Sequence, residues 1–312
     1  MSEPGAGTAA VPEVDNSRAD TPRADTPRAG TPQADGRAAG YRAGRTLSVR
    51  TELRRQLTRR RTQISLGFLV LLPFLLALAF TFGNSSGSTS GGFVDLATSG
   101  GLNFTVFTLF VSTGFLLVVV VSLFFGDSVA SEASWSSLRY LLAMPVPRAR
   151  LLRQKAVVAG GVSLFGLVLL PAVALALGTA VYGANPVLNP LGEALGYGRG
   201  VGRLVLIVVF VALQLSWVAG LAMAMSVLTD APLGAVGGAV MITILSQILD
   251  AIPALGGLRV WLPTHYANAW TALLSVDVDW DGMVRGTFSS LAYATVFGLV
   301  AWRRFATKDI TS

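Results

Sequence analysis

The sequence predicts an all-α, polytopic membrane protein with six transmembrane helices and with both termini in the cytoplasm. Apolar residues make up 52% of the 312 residues. Charged residues make up only 13%, against roughly 25% in an average soluble domain. The charges are also clustered, because several long intervals that could cross about 30 Å of hydrocarbon contain none. These intervals are 62–94, 96–126, 156–192, 204–229 and 286–302.

The first 63 residues are predicted to lie outside the membrane. Residues 1–45 repeat the motif Ala-Asp-Thr-Pro-Arg and have too little apolar surface to offset the entropy of folding, so we expect a disordered cytoplasmic tail. Residues 46–63 place Val49, Leu53 and Leu57 at four-residue spacing, with arginines on the other faces. This pattern predicts an amphipathic helix on the anionic cytoplasmic leaflet. The same residues also fit a basic flank without helical order.

Residues 64–312 are predicted to form the membrane domain. The expected spans are 65–82, 102–125, 156–182, 204–229, 233–249 and 286–302. With the N-terminus inside, this order places every cluster of Arg and Lys on the cytoplasmic side, as the positive-inside rule requires. We expect a kink at Pro171 and helix-to-helix hydrogen bonds from Gln214 and Ser216. The outer connection 250–285 carries Trp and Tyr residues that suit an aromatic belt.

One cytoplasmic loop, residues 126–155, is polar but still patterned. We expect Asp127 or Ser128 to cap a helix that continues to Met144 and is stopped by Pro145 and Pro147. One face of this helix carries Trp135, Leu138 and Leu142, a second face carries Glu132, Ser136 and Arg139, and Arg148 follows the prolines. A short amphipathic helix of this kind fits either a docking element for another protein or a helix on the lipid headgroups.

The sequence of this loop resembles the loop after the second span of ABC-2 type exporter permeases. The matching residues are Asp127, Glu132, Ser137, Leu138, Leu141, Leu142, Pro145, Val146, Arg148, Leu151 and Lys155. Ser136 stands where the family often has Gly. A second match is the basic exit from the last span, Trp302-Arg-Arg-Phe-Ala-Thr-Lys-Asp-Ile310. The resemblance covers residues 64–312 in layout and these two stretches in motif.

The resemblance implies a division of labour with other subunits. In that family this loop contacts a separate ATPase subunit, and here the contact is expected through Asp127, Glu132, Trp135, Leu138, Arg139, Leu142 and Arg148. ATP and Mg²⁺ would bind to the partner subunit, and this chain would hold no cofactor. The permease would work as a pair, with a second copy or a paralogue.

Several other chemistries are excluded or disfavoured by the residues themselves. The chain has no cysteine, which excludes disulfides and thiolate metal sites, and neither lysine lies in a Walker A motif for ATP. The acidic motif at 277–282 imitates a calcium loop, but Phe288 stands where a Glu is needed. His265 is the only histidine, and we expect a hydrogen bond rather than catalysis. Much of the net charge of +7 lies before the first span, which points to membrane lipids and not to nucleic acid.

These observations predict the permease subunit of an ABC-2 type exporter in the plasma (inner) membrane of a bacterium. It is not expected to be an enzyme, and it would move its substrate outward with ATP hydrolysed by the separate subunit. The substrate stays open among a lipid, a peptide, a drug and a polysaccharide. A membrane scaffold or accessory protein without transport activity is the alternative, and a membrane-embedded enzyme ranks third.

Overall fold

A computed structural model describes residues 48–83, 93–134, 148–189 and 192–307. The α-helices are α1 (Val49–Leu57), α2 (Arg60–Gly83), α3 (Phe93–Thr98), α4 (Gly101–Thr113), α5 (Leu116–Ser134), α6 (Arg148–Tyr182), α7 (Tyr197–Gln214), α8 (Ser216–Leu228), α9 (Pro232–Asp250) and α10 (Asp281–Thr307). Two 3₁₀ helices, Pro253–Trp261 and Ala269–Leu274, lie between α9 and α10. Two-residue strands, β1 (Val187–Leu188) and β2 (Ala194–Leu195), pair antiparallel. The predicted tail lies outside the described residues.

The helices confirm the predicted all-α membrane class. By length and composition, five candidate spans are found in the described part of the chain: α2, α6, α7 together with α8, α9, and α10. The bent pair of α4 and α5 adds a sixth. Apolar side chains remain exposed on the outward faces, among them Phe68, Leu78, Leu164, Val205, Met241, Phe288 and Leu299. Soluble monomers rarely expose contiguous apolar surface on this scale, so these faces suit lipid or another membrane subunit.

Two of the spans are broken at positions that the sequence did not predict. The axes of α4 and α5 differ by 55° across Gly114, and Leu215 interrupts the span that α7 and α8 form. Proline does not mark either break. Pro171 lies inside α6, which is one helix from Arg148 to Tyr182, and the kink expected there stays a prediction.

The predicted helix cap at Asp127 or Ser128 is wrong. α5 continues without interruption from Leu116 to Ser134, so both residues lie inside a helix that leaves the second span. Gly126 lies inside this helix, at a point where α9 packs closely. A Cβ added at Gly126 would lie 2.9 Å from Val236 Cγ2. Of the expected loop helix, residues 135–147 lie outside the described residues.

α5 lies at the centre of the bundle, where it packs against α6, α8 and α9. Its side chains Leu117, Val118, Val121 and Phe124 are buried in the main hydrophobic cluster. Helix α10 packs on α8, and α4 packs on α6. The end of the bundle at which α1 meets α5 and α6 is called the charged end below. The end that carries the β-hairpin and the 3₁₀ helices is called the hairpin end.

Polar side chains fix the connections at the hairpin end. Gln214 Nε2 donates to the carbonyl of Pro263 at 2.8 Å, and Ser290 Oγ donates to Gln214 Oε1 at 2.8 Å. The predicted helix-to-helix role of Gln214 is therefore confirmed. The same role predicted for Ser216 is not confirmed, because its hydroxyl is buried without a hydrogen-bond partner among the described residues. His265 Nδ1 lies 2.6 Å from Asp250 Oδ1, which confirms the expected hydrogen bond.

The closest approach between α4 and α6 requires glycine on both helices. A Cβ on Gly178 would lie 2.8 Å from the carbonyl oxygen of Gly101, and a Cβ on Gly101 would lie 2.4 Å from the backbone nitrogen of Thr179. Backbone atoms cannot move away as a flexible side chain can. Any larger residue at these two positions must therefore push the helices apart.

We predict that Gly178→Ala lowers stability by about 1–3 kcal/mol, the usual cost of overpacking a tight contact. The matched control is Gly161→Ala in the same helix, where an added Cβ meets nothing within 4 Å. Because Ala favours helix over Gly, the control should be neutral or slightly stabilising. Thermal unfolding of the purified variants measures both effects. Equal unfolding temperatures for the two variants would contradict this packing.

Candidate functional site

A group of ionic side chains joins α1, the start of α2, α5 and α6 at the charged end. The charged cluster consists of Glu52, Arg55, Arg59, Arg61, Asp127, Glu132 and Lys155. α1 is positioned to contribute because its N-terminus is capped: Ser48 Oγ accepts from the Thr51 backbone N–H at 3.2 Å. α6 brings Lys155 to the same place, about two turns after the start of the helix at Arg148.

Glu132 is the centre of one half of the charged cluster. Its Oε1 lies 2.6 Å from Lys155 Nζ and 2.5 Å from Arg55 Nη2. The side chains of Glu132 and Lys155 are only 3% and 4% exposed. Glu52 on α1 completes this half, because it lies 3.7 Å from both Lys155 and Arg55. One carboxylate of α5 thus contacts cations of α1 and α6.

Asp127 is the centre of the other half. Its two carboxylate oxygens accept from different arginines, with Arg59 Nη1 at 2.7 Å and Arg61 Nη1 at 2.9 Å. The Asp127 side chain is 7% exposed, whereas that of Arg61 is 65% exposed. These arginines also border a cavity of about 710 Å³. The carboxylate is therefore buried, and one of its cations extends toward the surface.

The opposite face of the same α5 turn is held by α8. Ser226 Oγ accepts from the backbone N–H groups of Val129 and Ala130, each at 3.0 Å. Ser128 Oγ donates to the carbonyl of Phe125 at 2.6 Å. Asp127 and Glu132 therefore lie on a helical segment whose opposite face is hydrogen-bonded to α8. Fixed geometry matters here, because buried ion pairs stabilise only when distance and orientation are good.

The predicted site residues divide into three groups. Asp127 and Glu132 are brought together in the charged cluster. Trp135, Leu138, Arg139 and Leu142 lie outside the described residues, so their assignment stays a prediction. Arg148 begins α6, but its side chain also lies outside what the structure describes.

Sequence reasoning missed the partners of the two carboxylates. Residues 46–63 were expected to place their arginines on anionic lipid, yet Arg55, Arg59 and Arg61 bind carboxylates of α5. Glu52 was the available signal, since it is the one acid among the arginines of this segment. An acidic side chain is repelled by anionic lipid, so Glu52 indicated that this segment contacts protein. In the structure its partner is the buried Lys155. No group of three or more His, Cys, Asp or Glu suited to a metal is found within the described ranges.

A known protein family matches the part of the chain that contains the charged cluster. A family model described as "ABC-2 family transporter protein" matches residues 50–229 of the chain. The match begins in α1, ends after α8, and contains every residue of the charged cluster. A search of curated proteins finds no match.

We predict that Lys155→Met lowers the free energy of unfolding by about 3 kcal/mol. Removing one member of a buried ion pair leaves the other charge uncompensated, which typically costs about 3–5 kcal/mol. The lower end is expected because Arg55 still contacts Glu132.

The control for Lys155→Met is Arg285→Met, which removes a cation at the surface. The Arg285 side chain is 62% exposed, and its Nε lies 3.0 Å from the carboxylate of Asp281. Exposed pairs contribute little, so this variant should melt like the wild type. Chemical or thermal unfolding of purified protein distinguishes the two. A wild-type unfolding curve for Lys155→Met would contradict a stabilising role for the cluster.

Proposed function

We propose that this chain, which belongs to the ABC-2 family of transporter proteins, is the permease subunit of an exporter driven by a separate ATPase. Membership of the family and the long apolar helices make it a multi-pass membrane protein of a transport system. The proposal adds the direction of transport, the coupling segment and the bacterial plasma membrane. ATP and Mg²⁺ belong to the ATPase, and the permease itself performs no catalysis.

The observation that carries the proposal is the ion pair between Glu132 and Lys155. α5 ends at Ser134 and α6 begins at Arg148, so residues 135–147 connect two helices that this buried pair joins. A segment anchored at both ends can transmit a displacement to α5 and α6, whereas a free loop would absorb it. The family match, which includes both anchors, supports coupling through this segment.

In this mechanism the residues have two kinds of role. Trp135, Leu138, Arg139, Leu142 and Arg148 contact the ATPase. Asp127 and Glu132 position the segment through the charged cluster and do not touch the partner. When ATP binding brings two ATPase subunits together, the anchored segments of two permeases follow, and α5 and α6 move with them. A second copy of this chain or a paralogue supplies the other half.

Orientation follows from the charges. The charged end carries the arginines of α1 and α2, and the positive-inside rule assigns such an end to the cytoplasm. The hairpin end then faces outward.

We predict that a cysteine at Asp279 is labelled by a membrane-impermeant maleimide in intact cells and that a cysteine at Ser134 is not. Both positions are exposed, so accessibility depends on the side of the membrane and not on burial. The chain has no native cysteine, and the wild type serves as the blank. Permeabilised cells should label both variants. External labelling at Ser134 would invert the proposed orientation.

We predict that Trp135→Ala weakens ATPase binding by about 2 kcal/mol, roughly thirtyfold. Interface energy concentrates in a few aromatic and aliphatic residues, and Trp135 is the largest apolar residue of the segment. Trp280→Ala is the matched control, because Trp280 is exposed at the hairpin end. Co-purification of the cognate ATPase with each variant measures the effect. If both variants retain the ATPase as the wild type does, residues 135–147 are not the coupling surface.

A further inference from the structure

The two helix breaks enclose a cavity of about 290 Å³. Thr113 and Gly114 border it from the α4–α5 break, and Gln214 and Leu215 border it from the α7–α8 break. α9 and the connection that follows it close the remaining sides. Both breaks, which no sequence pattern explained, therefore meet at one place.

The cavity lies where two candidate membrane spans are interrupted. α8 has 13 residues between the break at Leu215 and its end at Leu228, which corresponds to about 20 Å of helix. Because this is shorter than the roughly 30 Å of the hydrocarbon core, α8 alone does not make up a span, and the break interrupts the candidate span that α7 and α8 form together. Irregular backbone within a span occurs where it is covered by protein or borders a water-filled cavity. Broken helices at the site of transport are a recurrent means of exposing polar groups to a substrate.

The polar lining consists of amides and hydroxyls. Gln247 Nε2 donates to the carbonyl of Gly114 at 2.7 Å, which satisfies a backbone group that the break exposes. Asn268, also on the wall, has no hydrogen bond through its carboxamide among the described residues. Asn268 is exposed, so its amide is accessible to water or to a ligand. The lining thus offers, in Asn268, a hydrogen-bonding group that no described part of the protein uses.

The ionisable groups around the cavity disfavour an anionic ligand. Asp250 is the single ionisable residue among those that line it. Its carboxylate contacts His265 at 2.6 Å, and Arg259 Nη1 donates to its backbone carbonyl at 3.1 Å. No cation lines the cavity among the described residues, so an anionic ligand would meet only the Asp250 carboxylate, and a cationic ligand would compete with His265 for it. An uncharged polar group avoids that repulsion.

The cavity opens beside an apolar surface. Gly114 is exposed, and its neighbours Phe110 and Phe115 are 46% and 58% exposed. On the α9 side of the opening, Leu245 and Ile248 are exposed as well. A ligand can therefore place a hydrophobic chain on this surface while its polar group occupies the cavity.

We propose that this cavity binds the polar group of an amphiphilic substrate, and that the group is uncharged and bears hydroxyls or amides. The inference rests on the proposed transport function and adds the chemical class of the substrate. It selects neutral amphiphiles, such as a glycolipid, over anionic lipids.

The test uses the full chain in phosphatidylcholine nanodiscs with two fluorescent lipids. NBD-labelled glucosylceramide has an uncharged, hydroxylated headgroup, and NBD-labelled phosphatidic acid has an anionic one. We expect saturable binding of the first, measured by fluorescence anisotropy, with at least tenfold weaker binding of the second. Equal affinity for the two lipids, or no saturable binding of glucosylceramide, would overturn the proposed ligand class.

Two variants connect binding to the cavity. Asn268→Leu keeps the branched shape of the side chain and removes the unused amide, and we expect about tenfold weaker binding of glucosylceramide. Gly114→Trp places an indole beside the opening, and an added Cβ there meets nothing within 4 Å, so the new side chain begins in open space. Gly67→Trp is its control, on an exposed face of α2 where an added Cβ is also free. Unchanged binding in both cavity variants would refute this location.

ATPase co-purification separates this inference from the proposed function. Both cavity variants should retain the ATPase, because the cavity lies far along α5 from the charged end. If the ATPase binds but glucosylceramide binding is absent or insensitive to the variants, only the substrate inference fails. If no ATPase binds even to the wild type, the proposed function fails, whatever the lipid measurements give.

Discussion

Asp127 and Glu132 lie about one and a half turns apart on α5, and both carboxylates are buried at the charged end. A buried carboxylate destabilises a fold unless cations and hydrogen-bond donors compensate it. No basic residue of α5 itself is available, so the cations come from α1, α2 and α6. The position of α1 and the closeness of α5 to α6 both depend on this requirement.

α5 connects the two sites of interest. Near its start, Val118 lines the cavity between the helix breaks, and near its end, Glu132 holds Lys155. Between these points the helix is packed against α6, α8 and α9 without a break. We expect a helix that is packed along its length to move as a unit, which would carry a displacement of its charged end to the wall of the cavity. That continuity gives the proposed coupling between ATPase and substrate a physical route.

The sequence predicted what depends on periodicity and charge bias. Long charge-free intervals located the spans, and the Gln214 and His265 hydrogen bonds were expected from isolated polar residues in apolar surroundings. The breaks at Gly114 and Leu215 could not be predicted, because they depend on packing between distant helices. The bend at Gly114 is supported by Gln247, 133 residues away, whose contribution no local pattern reveals. The charged cluster was predicted only in part. The carboxylates of α5 were identified, but their arginine partners lie 66 to 77 residues away, on α1, in the turn after it and at the start of α2.

The central claim, that the carboxylates of α5 hold α1 in place, is tested most directly by amide hydrogen exchange over residues 49–57. A nine-residue helix is barely stable alone in water, so slow exchange reports that α1 is docked. We predict protection in the wild type and its loss in the double variant Asp127→Asn, Glu132→Gln, which neutralises both carboxylates and keeps their size. If α1 merely rested on lipid, its protection would not depend on these side chains. Protection that survives in the double variant would contradict the claim.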